Sequence, residues 1–112
     1  MSVKLKQLIA DTQSAFRSQP DAAKATFKSS SRLTEGFRSE ISIRQHRLAA
    51  DEPAALGGAD SGPNPVELIL AALGSCQEIT YRAYATALGI PLDSVAVELY
   101  GDIDLRGFFG VD

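Results

Sequence analysis

Residues 61–76 read SGPNPVELILAALGSC. Asn64, the only asparagine in the chain, stands directly before Pro65, and Glu67 follows three residues after it. At such a junction the asparagine side chain accepts from the backbone N–H three residues on, and the glutamate carboxylate reaches back to the asparagine N–H. Proline suits the first helical turn, where its missing N–H has no partner to lose. The apolar run Leu68–Gly74 carries the helix forward, and Gly89, with Pro91 just beyond, supplies a left-handed stop. The spacing therefore predicts a helix over 64–89, apolar almost all round from Leu68 to Leu73 and so the buried spine of the domain.

Cys76, the only cysteine, lies inside this helix. Helical spacing places it on a stripe with Ile69, Ala72, Leu73, Ile79, Thr80 and Ala83. On residue chemistry alone it reads as a small apolar core residue, because burial raises a thiol's pKa and leaves it inert. A reactive thiol in mid-helix gains little from the macrodipole and needs a cation from elsewhere. Arg32, Arg38, Arg44 and Arg47 are the available supply, whereas Arg82 faces away.

Working outward, AADEPAALGGADSGP (49–63) has no periodicity and holds three glycines and two prolines, so it reads as a loop. It has neither GxGxxG nor Gly-Lys-Ser/Thr, which excludes a phosphate cradle. Before it, Phe27 and Leu33 alternate on one face and Phe37, Ile41 and Ile43 on another. Thr34-Glu35-Gly36 turns between them, predicting a β-hairpin over 25–48. Val3, Leu5, Leu8, Ile9 and Phe16 predict a helix over 3–18, within an N-terminal extension of residues 1–20. After the central helix, Val95, Val97 and Leu99 alternate inward and predict a strand over 92–105. One hairpin, one strand and a long apolar helix leave much of that helix uncovered, so a partner chain or further sequence beyond Asp112 is expected to cover it.

The 112 residues are enough for one domain, and 45% apolar with 22% charged residues is ordinary globular composition. No run is long enough to span a bilayer and the N-terminus lacks a secretory pattern, so the expected address is cytoplasmic, without membrane association. A single cysteine suits a reducing compartment, and one cysteine with one histidine argues against a zinc site. Residues 1–48 carry nine Lys or Arg against four acids, and residues 49–112 carry two against ten. The basic charges are dispersed and no stacking aromatics accompany them, so the halves attract each other rather than nucleic acid. His46, among Arg44, Gln45 and Arg47, reads as a surface residue, and Tyr81, Tyr84 and Tyr100 as packing aromatics. Thr80 reads as bonding back to its own helix, and Ser75 has no partners for nucleophilic catalysis.

GGADSGPNPVELILAALGSC followed by TALGIPLDSVAVELYGDIDLRGFFG strongly resembles the OsmC/Ohr family of osmotically induced and organic-hydroperoxide-resistance proteins. The resemblance covers roughly residues 56–110 and rests on two motifs, G-P-x-P-x-E-L-x-L-A-A-L-G-x-C and G-D-I/L-D-L-R-G-F. It implies an α+β, OsmC-like fold with antiparallel sheet wrapped around a long central helix, the N-terminal helix being extra, in an intertwined homodimer. It also implies that Cys76 is the peroxidatic thiol of an enzyme that reduces organic or fatty-acid hydroperoxides in oxidative-stress defence, without metal or cofactor. Family members return the oxidised thiol through a second cysteine and a dithiol such as a lipoylated protein. An arginine and a glutamate hold their thiolate ready.

This chain departs from that pattern at three points. It has no second cysteine, which the family places beyond Asp112. Val66 stands where the peroxidase branches have their glutamate; Glu67, the neighbouring candidate for that catalytic carboxylate, lies about half a turn round the helix from Cys76, which favours a helix cap over a catalytic role. The activating arginine has no aligned counterpart, and Arg38 and Arg44 are the candidates. Val66 motivates the alternative reading, a dimeric module of the same fold that binds a small apolar or thiol ligand without peroxidase chemistry.

Overall fold

The computed structural model describes residues 2–112. Helix α1 spans Ser2–Ser18 and is followed by a 3-10 turn at Pro20–Ala23. Three strands then form an antiparallel sheet in sequence order: β1 Ser30–Leu33, β2 Ser39–Ile43 and β3 His46–Ala50. A folded loop leads to helix α2, Pro65–Leu88. Two helices and a three-stranded antiparallel sheet make the architecture α+β.

The sheet corrects the hairpin expected over 25–48. Phe27 precedes β1 and is 88% exposed, and a second turn at Arg44-Gln45 adds β3. That turn brings Ile43 opposite His46, with Arg44 at φ +54. Two-residue hairpins favour left-handed backbone because it matches strand twist, but arginine is not a residue that advertises it. The first turn lies at the expected place, with Thr34 N–H donating to the Arg38 carbonyl at 2.8 Å and Gly36 at φ +54.

Register divides the sheet by chemistry. Ile41 pairs with Ser31 and Leu48, Ser39 with Leu33 and Ala50, and Ile43 with His46. Directly paired residues share a face, so Leu33, Ile41, Ile43, Leu48 and Ala50 make one apolar side. His46 falls on that side too and is exposed there, in keeping with its reading as a surface residue. Arg32, Glu40, Ser42 and Arg47 occupy the other face, where the Arg47 guanidinium donates to Ser42 Oγ at 3.0 Å.

The loop between β3 and α2 is knotted around Asp51, a carboxylate only 1% exposed. Its Oδ2 accepts from the Ser61 hydroxyl at 2.6 Å and the Ser61 N–H at 3.2 Å, while Oδ1 accepts from the Glu52 N–H at 2.8 Å. The Asp51 N–H donates to the Pro63 carbonyl at 3.0 Å, and Asp60 N–H to the Glu52 carbonyl at 3.0 Å. Backbone passes so close to backbone that a Cβ on Gly62 would lie 2.3 Å from the Ala49 carbonyl oxygen. One on Gly58 would lie 2.0 Å from that of Glu52. The Ser61 hydroxyl, then the Glu52 N–H, hold the Asp51 carboxyl below its ordinary value of 3.8, against the opposing effect of burial.

The helix start expected from Asn64, Pro65 and Glu67 is formed. Asn64 Oδ1 accepts from the Glu67 N–H at 2.8 Å, and Glu67 Oε1 accepts from the Asn64 N–H at 2.9 Å. Asn64 Nδ2 also donates to Glu52 Oε1 at 3.2 Å, tying the cap to the Asp51 knot. Gly89, at φ +71, closes the far end.

The expected strand over 92–105 is not one. Val95, Val97 and Leu99 do turn inward while their neighbours stay exposed, but among the described residues no strand lies beside them. Their backbone instead runs along α2, where Val97 N–H donates to Glu78 Oε2 at 3.2 Å and Arg82 donates to the Leu92 carbonyl at 2.8 Å. Alternation reports an extended chain with one covered side; pairing needs a neighbour that alternation cannot report. The helix covered in this way is only half a spine. Gly74 is its one buried residue, with Val97 and Leu99 above it, whereas Ile69 is 68% and Ile79 69% exposed. The whole chain has a radius of gyration of 19.1 Å, against about 13 Å for a compact domain of this length.

Three outcomes follow from this geometry. Asn64→Ala lowers stability by about 1 kcal/mol in urea unfolding, while Glu67→Gln, which can keep the reciprocal bond, has little effect. Gly62→Ala costs roughly 1–3 kcal/mol, since the Ala49 carbonyl has to move. Because the Asp51 carboxyl titrates below its unfolded value, its stabilisation is present above about pH 4 and lost as pH falls below that. Melting temperature followed from pH 7 to pH 3 therefore drops less steeply in Asp51→Asn than in the parent chain.

Candidate functional site

Cys76 sits about three turns beyond the cap that fixes where α2 begins. The covered stripe of the helix, Leu70, Gly74, Glu78 and Arg82, repeats every four residues and carries the 92–99 segment. Cys76 lies on the other side and is exposed. Ile69, Ala72, Leu73, Ile79 and Thr80 of its stripe are exposed with it. Core packing, the inert reading of the thiol, therefore does not describe its surroundings in this chain.

The thiol opens into a shallow hollow of about 350 Å³ whose walls are Leu73, Gln77, Thr80 and Tyr81. The walls offer apolar surface, one amide and two hydroxyls, and none of them is charged. Thr12 of α1 bonds back to the Leu8 carbonyl at 2.8 Å.

The other candidates stand elsewhere. Glu67 holds the start of α2 through its bond to the Asn64 N–H. Val66 is half-buried beside it. Arg38, partly covered at the entry to β2, lines a depression on the polar side of the sheet together with Glu40 and Arg47. Arg44 is exposed at the β2–β3 turn. Neither arginine lines the hollow at Cys76.

Sequence reading missed Asp51, Glu78 and Arg82 as organising residues. An acid flanking a glycine-rich loop with a serine ten residues on was the only visible sign of the first. For Glu78 and Arg82 the sign was an acid and a base one turn apart on an otherwise apolar helix.

The second motif, GDIDLRGFFG, ends in a turn that folds back toward the sheet. Asp104 and Arg106 pair within it, which draws the Asp104 carboxyl below its ordinary value and raises Arg106. Phe108 meets Phe37 edge-on, with ring centroids 6.1 Å apart, and Phe109 packs on Phe108 at 4.9 Å. Phe37 in turn lies against Gly57, so the loop before α2 and the end of the chain converge on one aromatic group.

Among the described residues no helix is long and apolar enough to cross a membrane. No curated protein matches the chain at a significant level. The family model for OsmC-like proteins matches residues 58–112, a segment that contains α2, Cys76 and both motifs. Over those residues, just under half of the chain, it is similar to OsmC-like proteins.

Proposed function

We propose that this chain is a thiol-dependent peroxidase of the OsmC type, reducing organic or fatty-acid hydroperoxides through Cys76. The observation that carries the reading is the exposure of Cys76 on α2, within the family-matched segment, at the mouth of a partly apolar hollow. In the reaction the thiolate sulfur attacks the terminal peroxide oxygen and the O–O bond breaks. The alkoxide takes a proton and leaves as the alcohol, while the sulfur becomes a sulfenic acid. An external dithiol, such as the reduced lipoyl group of a carrier protein, then attacks the sulfenic sulfur and releases water. Its second thiol resolves the mixed disulfide and frees Cys76. Leu73 and Tyr81 provide apolar contact for the organic group, which favours organic hydroperoxides over hydrogen peroxide. The enzyme works as a homodimer in the cytoplasm, and the uncovered apolar sides of α2 and the sheet support a second subunit.

The alternative, a dimeric binding module without peroxidase chemistry, draws on a specific observation. Val66 replaces the acid of the peroxidase branches, and the carboxylate next to it in sequence, Glu67, is committed to capping. The two readings divide in a coupled assay with cumene hydroperoxide and dihydrolipoamide, run on the parent chain and on Cys76→Ser. Consumption of peroxide by the parent and a fall to background in the variant is the expected result. Equal background rates in both would leave the binding module.

A further inference from the structure

The N-terminal helix lies outside the family-matched segment, and where it rests on α2 it creates a groove that the peroxidase reading does not use. The groove has a volume of about 650 Å³, within the range of about 300–1,000 Å³ usual for small-molecule sites. Val3 and Lys6 of α1 form one wall, Arg82 and the last turn of α2 another, and Ile90 and Leu92 the floor. Two cations, Lys6 from the basic first half of the sequence and Arg82 from the acidic second half, thus share an apolar cleft.

Among the described residues, Lys6 and Arg82 form no ion pair, even though Asp93 lines the same groove. Arg82 uses one N–H on the Leu92 carbonyl and keeps the rest of its fork. Lys6 Nζ lies 3.5 Å from where a Cβ on Gly89 would stand, at the carbonyl end of α2. A lysine there also complements the helix dipole, but carbonyls of that last turn already accept from Gly89 and Ile90 N–H groups. The charge left over in the groove is positive, and its walls are apolar.

We propose that this groove binds a small amphiphilic anion, its carboxylate between Lys6 and Arg82 and its hydrocarbon part along Val3, Ile90 and Leu92. The site is distinct from Cys76 and does not depend on peroxidase activity.

The test titrates the full chain with octanoate below its micelle concentration, followed by NMR shifts of α1 and of residues 89–93. Octan-1-ol serves as the uncharged control, and Lys6→Gln, Lys6→Arg and Cys76→Ser as variants. Saturable octanoate binding, weakened about tenfold by Lys6→Gln and kept by Lys6→Arg and Cys76→Ser, is the expected pattern, as a lost charge-assisted bond implies. Absence of saturation, equal binding of octan-1-ol, or no effect of Lys6→Gln each overturns the site. A Lys6→Gln variant that melts lower but binds octanoate unchanged would reduce Lys6 to a helix-end charge and overturns it too.

Discussion

Asp51 is where the sheet becomes the helix. Its carboxylate takes three hydrogen bonds from Glu52 and Ser61, and its own N–H closes onto Pro63. A carboxylate 1% exposed would be costly without such partners, and with them it becomes the fixed point of a loop that would otherwise have no core of its own. The glycines at 58 and 62 make the knot possible by letting backbone approach backbone. One residue further, Glu52 holds the Asn64 amide, and Asn64 holds the first turn of α2. The direction in which α2 leaves the sheet, and so the place of Cys76, follows from this chain of polar contacts more than from apolar burial.

Apolar burial is what the chain has least of. Its sheet has a mostly apolar side, yet Leu33 is 63% and Leu48 47% exposed. The exposed stripe of α2 repeats the situation around Cys76. Polar contacts do much of the joining instead, as Glu78 and Arg82 hold the extended segment that follows α2, and an aromatic contact returns Phe108 to Phe37. A thiol in such a setting is available to solvent, and its hollow offers hydroxyls and an amide in place of a guanidinium. In the proposed peroxidase, polarisation of the peroxide falls to neutral donors or to groups a second subunit brings.

How far the sequence could be read depended on how local each signal is. Asn64, Pro65, Glu67 and Gly89 act within a turn of themselves, so both ends of α2 were legible. The Thr34–Gly36 turn was legible for the same reason, whereas Arg44-Gln45 carries no turn signature and hid the third strand. Register places His46 on the apolar side, which a single strand cannot reveal. Val95, Val97 and Leu99 showed their inward side but not what lies against it, so a chain bonded to Glu78 and Arg82 read as a strand. For the site, Cys76 was legible through the two family motifs and the capping role of Glu67 through helix spacing. Its exposure was not, because an apolar stripe looks the same in sequence whether or not something covers it.

A peroxide-reactive Cys76 reveals itself in the chemical state of its sulfur after one equivalent of organic hydroperoxide. The chain is treated with cumene hydroperoxide in the presence of dimedone, which traps sulfenic acids, and peptides containing Cys76 are weighed by mass spectrometry. The expected product is a dimedone adduct on Cys76 that forms with hydroperoxide and not with cumyl alcohol. A Cys76 peptide recovered as the unmodified thiol, with the hydroperoxide unconsumed, would contradict it.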